Sequence, residues 1–335
     1  MDDAAFGTRN KRGDFAPGAP LRPAPIWALP PRPLAVLKWL PGYFLPWNLT
    51  FFALALVIWT WFTPALTTLQ TLAPGWILTL YLRNSAIVFA FYFALELRLY
   101  LRRAQGKSFK YNAKWPAENS SAVFMFKNQI IDGMIRTFAT GVPVWTAYEV
   151  LALWCYANGI GHWTTLADHP IWLAVLTLLI PAFHELHFFC IHRLIHIPVF
   201  YKYIHSVHHN SVNPSPWSSL SMHPVEHLLY WSGSLLYFIL PTHPLIVLYQ
   251  LNFAGVGAVV GHIGFEKIVL GDKSAIDTHA YAHYLHHKYF EVNYADGTVP
   301  LDIVFGTWHD GTAAGEAKLD ARMAKKRARL NKQAR

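Results

Sequence analysis

Charge is scarce in this chain. Of 335 residues, only 14% are Asp, Glu, Lys or Arg, where an ordinary soluble domain carries roughly a quarter. The deficit is concentrated in long apolar stretches: the chain is 53% hydrophobic, with a mean hydropathy of +0.23. That pattern excludes a typical soluble domain and points to a membrane protein. Cysteine is nearly absent. Cys155 and Cys190 both sit in apolar runs, which excludes a disulfide framework and any iron–sulfur cluster that needs four thiolates. No apolar run begins before residue 40, so a cleaved signal peptide is not expected. There is no Walker motif. Gly255-Val256-Gly257 superficially starts a dinucleotide fingerprint, but it lies inside an apolar run with Val260 at the third glycine position. Small residues there suit close helix packing instead.

The few charges are unevenly signed, with a formal net charge of +9. Arg98, Arg102, Arg103, Lys107, Lys110 and Lys114 form one basic group. Lys318, Arg322, Lys325, Lys326, Arg327, Arg329, Lys332 and Arg335 form another. Both flank apolar segments, so they read as topology determinants in contact with anionic headgroups, not as a nucleic-acid surface.

Seven prolines fall within residues 1–35, and residues 1–38 are expected to be a disordered Pro-rich tail. Six apolar segments follow, near Tyr43–Ala65, Trp76–Leu97, Phe138–Cys155, Ile171–Phe189, Leu228–Leu240 and Leu245–Val260. A full span needs about 20 residues, so the last two are short enough to form a re-entrant hairpin around Pro241–Pro244. The expected fold is all-α: a polytopic membrane protein with about four to six transmembrane helices and a cytoplasmic cap. The expected division is a transmembrane region at 39–176, a catalytic domain at 177–310 and a basic C-terminal tail at 311–335. Alternating spans put every basic segment, and both termini, on the cytoplasmic face.

Histidine carries the functional signal. None of the 18 occurs before His162. His192-Arg193-Leu194-Ile195-His196 is HxxxH; His205-Ser206-Val207-His208-His209 and His283-Tyr284-Leu285-His286-His287 are both HxxHH. Residues four apart share a helix face, so HxxxH presents two imidazoles together. In HxxHH the first and third His pair at i+4, and the second borders the same face. Eight imidazoles exceed the need of one tetrahedral zinc and suit two transition-metal ions in a shared cavity. His162, His169, His243 and His309 are expected to be structural.

HRLIH, HSVHHN and HYLHHKYFEVNY, with the trailing LDIVFGT, resemble the fatty acid hydroxylase/sterol desaturase superfamily, and the HPVEH and HIGFE segments look closer to its sterol-modifying branch. The resemblance covers roughly residues 180–310. It implies that His192, His196, His205, His208, His209, His283, His286 and His287 are metal ligands. It adds His262 from Gly261-His262-Ile263-Gly264, and His223 and His227 as further candidates. Glu266 stands where some members supply another His. Two iron ions cycling between Fe2+ and Fe3+, together with O2, would then hydroxylate or desaturate a membrane lipid: a sterol, a sphingoid base or a fatty acyl chain. Such chemistry consumes two electrons per turnover. With no haem, flavin or cluster signature here, an external cytochrome b5-like or ferredoxin-like donor is implied, in a bacterial inner membrane or the endoplasmic reticulum.

Other classes have specific signals. His223-Pro224-Val225-Glu226-His227 fits the HxxEH pattern of a membrane zinc hydrolase, with Ser221 as helix cap and Pro224 in the first turn. A metal transporter would place ligands mid-span, and a haem carrier would use single His residues on paired spans. Neither explains three spaced boxes. Glu185 and His187 are candidates for partners that orient ligand rings.

Overall fold

The computed structural model describes residues 1–117 and 121–333. Arg335 of the basic tail lies outside the described residues. The chain is mainly helical. Its principal helices are α1 (Pro33–Phe44), α2 (Trp47–Trp61), α3 (Pro74–Glu96), α4 (Gln129–Arg136), α5 (Val142–Ala157), α6 (Pro170–Ile195), α7 (Ser206–His209), α8 (Pro224–Trp231), α9 (Pro244–Gly255), α10 (Ala258–His262), α11 (Tyr281–Tyr289) and α12 (Ala313–Gln333). Two short antiparallel hairpins complete it: β1 (Gly7–Arg9) with β2 (Phe15–Pro17), and β3 (Lys267–Val269) with β4 (Ala275–Asp277).

Among the described residues three helices are long and apolar enough to cross a membrane: Pro74–Leu101, Pro170–Ile195 and Pro244–His262. The pair α1 and α2, bent by 46° at its junction, makes a fourth if it acts as one span. Two of the six apolar segments are not among these helices. The stretch Leu228–Leu240 divides between α8 and a 3-10 turn at Ser232–Phe238. Phe138–Cys155 starts in a π-helical turn, Thr137–Gly141, and carries the buried Glu149. Apolar composition is shared by buried core and lipid-facing helix, and it does not distinguish them.

The main core lies where α9 packs on α2, α5 and α6. There the ring of Trp145 stacks on Trp231, with centroids 5.4 Å apart. Gly255 permits this: a Cβ at that position would sit 2.5 Å from Trp145. Close helix approach is the role expected for the small residues near 255. Within the apolar layer, Arg83 on α3 pairs with Glu149 on α5, and Asn84 Nδ2 donates to Glu149 Oε2 at 2.8 Å. Charges at this depth are tolerated when paired, and the pair ties α3 to α5.

The N-terminal stretch corrects the expectation of disorder. Phe15 is buried against Phe109; Ala24 N–H donates to Gly297 O at 3.0 Å, and Trp27 Nε1 donates to Thr298 O at 2.6 Å. A low overall apolar content understates a segment held by a few large anchors, and its prolines lower the entropy lost on docking. The basic C-terminal stretch is likewise a helix, α12, docked through Leu319 and Met323.

Candidate metal centre

Three helix ends and one broken helix bring the histidines together. α6 ends at Ile195, with His196 as its C-cap, so His192 and His196 project from its last turn. Tyr201–His205 is a π-helical turn that runs directly into α7. Such turns re-phase side chains and occur often at functional sites. His262 closes α10, where Tyr100 Oη donates to Ile263 O at 2.7 Å. Gly264, at φ +76°, then turns the chain away. A Cβ there would meet that hydroxyl at 2.5 Å. α11 carries the last box and stops at Phe290, in the left-handed region at φ 64°.

The nine histidines form two groups. His192, His196, His205, His209 and His286 make the first; His208, His262, His283 and His287 make the second. Within each, one nitrogen per ring lies within 4.8 Å of all the others. Each HxxHH box is split between them. The i, i+4 pair His205/His209 joins the first group while His208 crosses to the second. The pair His283/His287 joins the second while His286 crosses to the first. The spacing put the middle residue of each box at the border of the shared face; the structure turns it to the other group, an i+3 residue being rotated some 60° from residue i and 100° from residue i+4.

Ring nitrogens face one another at contact distance. His262 Nε2 lies 3.2 Å from His208 Nε2, 3.0 Å from His283 Nε2 and 3.2 Å from His287 Nε2. His286 Nε2 is 3.1 Å from His209 Nε2, which is 3.3 Å from His196 Nε2. His262 Nδ1 already donates to Ala258 O at 2.8 Å, leaving a lone pair on Nε2 that cannot accept from three neighbours at once. Nitrogens about 2.0–2.1 Å from a shared ion stand roughly 3.0–3.4 Å apart. His192 Nε2 and His205 Nε2 are buried without any hydrogen-bond partner. The donor set fits metal ions better than it fits a hydrogen-bonded core.

Four rings are anchored by their opposite edges, His262 as above and three more. His192 Nδ1 donates to Tyr294 O at 2.9 Å, and His286 Nδ1 to Val292 O at 2.6 Å. His205 Nδ1 meets Glu226 Oε1 at 2.8 Å. Burial, reinforced by neighbouring rings, holds His205, His208, His209, His283, His286 and His287 well below the ordinary imidazole range. Neutral imidazole is the metal-binding form. Burial also pushes the Glu226 carboxyl well above its ordinary range, so its contact with His205 is not an imidazolium–carboxylate pair.

Glu226 and Asp302 were missed as site residues. Asp302 accepts from Tyr294 N at 3.0 Å, Ala295 N at 2.8 Å and the Thr307 hydroxyl. It thereby shapes the loop whose carbonyls hold His192 and His286. The signal was the LDIVFGT run after the last box. For Glu226, it was a carboxylate in an apolar helix among histidines.

Other candidates lie elsewhere. His227 Nδ1 meets Thr140 Oγ1 at 3.0 Å and its Nε2 meets Leu220 O at 3.2 Å. His223 Nδ1 caps α8 by accepting from Val225 N at 3.2 Å. The cap is therefore His223 and not Ser221, which donates to Asp132 at 3.1 Å. Neither His223 nor His227 joins a group, and Glu226 turns away from them toward His205. Glu185 accepts from Gly297 N and Thr298 N, and His187 meets Ser232 Oγ at 3.0 Å; neither is bonded to a ligand ring. Glu266 Oε2 accepts from Tyr111 Oη at 2.6 Å. His309 stacks on Tyr289, and His243 caps α9; neither joins a histidine group.

A cavity of about 190 Å³ opens beside both groups, touching His192 and His205 of the first and His208, His262 and His283 of the second. Trp47, Phe51, Phe188, Met222 and Phe253 make much of its wall apolar.

Residues 175–307, the stretch that holds all nine histidines, match the fatty acid hydroxylase family. Similar curated proteins include the Delta(7)-sterol 5(6)-desaturase erg3C of Aspergillus fumigatus, 35% identical over 41% of this chain and 49% of its own. The Delta(7)-sterol 5(6)-desaturase ERG3B of Gibberella zeae is 30% identical over 42% of this chain and 41% of its own. A second Aspergillus fumigatus enzyme, erg3A, is 34% identical over 38% and 35%. Residues 175–307 are thus similar to that family, and the chain is similar to these desaturases over less than half of its length. The matched stretch spans about half, or less, of the length of these relatives. No solved structure matches.

Proposed function

We propose that this chain is a membrane-embedded di-iron oxidoreductase that uses O2 to hydroxylate or desaturate a lipid. The observation that carries the reading is the pair of buried histidine groups sharing one apolar cavity. The first group would hold one iron and the second the other. When bound, the iron pair supplies activation of dioxygen and oxidation of an unactivated C–H bond.

The residues of the chain do the rest. The carbonyls of Tyr294, Val292 and Ala258 and the carboxyl of Glu226 fix the rings of His192, His286, His262 and His205 with their Nε2 atoms pointing inward; such partners set ring orientation and basicity. The aromatic wall excludes water and offers a lipid an apolar surface but no paired charge. The sterol desaturase relatives support a sterol-like substrate, with a sphingoid base or acyl chain as the other options.

Electrons enter from an external cytochrome b5-like or ferredoxin-like protein. Tyr201 and Phe290, both half-buried, lie 5.7 and 5.0 Å from the His209 ring. Exposed Arg193, Lys202 and Lys288 lie near them in the chain, a charge pattern suited to an acidic donor. The basic flanks support a multi-pass topology with the histidine groups and both termini in the cytoplasm, in a bacterial inner membrane or the endoplasmic reticulum.

Reconstitution with a donor system and 18O2, followed by lipid mass spectrometry and elemental analysis, tests the reading. One labelled oxygen gained or two hydrogens lost, with two irons per chain, is expected. One zinc, no iron and no lipid product would overturn it.

A further inference from the structure

The polar groups around the cavity are mostly used by the protein itself. Tyr230 Oη donates to Ala254 O at 2.8 Å, Thr278 Oγ1 to Phe265 O at 2.6 Å, and Gln250 Nε2 meets His184 Nδ1 at 3.1 Å. Asp296 differs. It lines the cavity and is exposed, and among the described residues no hydrogen bond or opposite charge engages its carboxylate.

Its placement is enforced from both sides. Asp302 grips Tyr294 N and Ala295 N just before it, and Glu185 grips Gly297 N and Thr298 N just after it. These two neighbours spend their oxygens on backbone N–H groups, so Asp296 is presented to the cavity by bonds it does not itself make. The exposed carboxylate is solvated until an apolar ligand fills the cavity, and it then needs a donor from that ligand. Burial, with Asp302 nearby, pushes its pKa up to about 6.

The cavity also limits what enters. At about 190 Å³ it lies below the roughly 300 Å³ at which pockets enclose a whole small ligand. Only the reacting end of a lipid fits, with the remainder outside. A partner for Asp296 must therefore be carried by that end.

We propose that Asp296 anchors a hydrogen-bond donor, a hydroxyl or an amine, on the reacting end of the lipid, and so selects which C–H faces the histidine groups. This rests on the lipid-oxidising reading above. Asp296 is a specificity and positioning residue, and it ligates no metal.

The test is binding by the full-length protein in detergent, with and without iron. The probes are a radiolabelled 3-hydroxysterol, hexadecanol and the O-methyl ethers of both, with hexadecylamine as the amine arm. A hydrogen bond to a charged group corresponds to roughly a 10- to 100-fold change in affinity. Wild type is expected to prefer at least one free donor over its capped or donor-free counterpart by tenfold or more. D296V should abolish that preference while changing ether binding less than threefold, and D296N should keep part of it. Iron content should remain unchanged in both variants. Equal binding of donor and ether by wild type, or equal weakening of both in D296V, overturns the anchor while leaving the lipid reading intact. Failure of every lipid probe to bind wild type overturns both.

Discussion

Glu226 provides a quantitative test of how the first histidine group is built. Its Oε1 lies 2.8 Å from His205 Nδ1, and the two residues are 3% and 1% exposed, so water cannot replace the contact. In E226A the His205 Nδ1–H is left buried without an acceptor, at a cost of about 1–3 kcal/mol. In E226Q an amide oxygen can still accept, but the side chain can no longer give up a proton to support a bound cation. Removing a partner of this kind costs roughly 10- to 100-fold in metal affinity, or about 1.4–2.7 kcal/mol at 1.36 kcal/mol per decade. The expected order of affinity at the first group is wild type, then E226Q, then E226A. The second group, which contains no His205, should stay within about twofold. Anaerobic Fe(II) titration against a competing chelator resolves the two sites, and elemental analysis counts them. Unchanged affinity in E226A, or equal weakening at both groups, would refute the reasoning.

D302N should weaken the first group about tenfold and speed amide hydrogen exchange across 292–307, because the loop carbonyls that hold His192 and His286 lose their charged anchor; wild-type exchange rates there would overturn that role. H262A should leave one iron per chain, in the first group, whereas H286A should leave one in the second, even though His286 belongs to the same box as His283 and His287. Elemental analysis with site-resolved spectroscopy decides it, and simultaneous loss of both irons in each variant would count against two separable sites. D296N should stabilise the protein in a pH-dependent way. With the folded-state pKa raised to about 6 from 3.8, the native state holds this proton more tightly, so its penalty grows as pH rises from 4 through 6 and is complete above that. The gain should be nil near pH 4 and about 1–2 kcal/mol at pH 7, below the linkage limit because the carboxyl faces an open cavity; a gain that is the same at both pH values would contradict the assignment.

Much of the site was legible in one dimension because metal-ligand spacing on a helix is local. HxxxH and the first and last residues of each HxxHH box share a helical face, while His262 followed only from the family resemblance; His192, His196, His205, His208, His209, His262, His283, His286 and His287 are the residues the fold gathers. The supporting shell was less legible. Glu226 and Asp302 act across 21 residues and through a loop respectively, and no periodicity links a carboxylate to a ring it meets only after folding. His223 and His227 show the reverse: their spacing resembles a ligand pair, but a backbone cap and a threonine hydroxyl claim their nitrogens first.

Sequence alone determined the apolar helical class and the histidines of the three spaced boxes, since each depends on composition or on contacts within one helical turn. Tertiary structure decided how those histidines divide, with the middle residue of each HxxHH box crossing to the other group. It also decided that the Pro-rich N-terminus docks, that Leu228–Leu240 breaks instead of spanning, and that Asp296 faces the cavity unpartnered. Each of these is a competition between a local preference and partners far away in the chain, and only packing determines which of them is within reach.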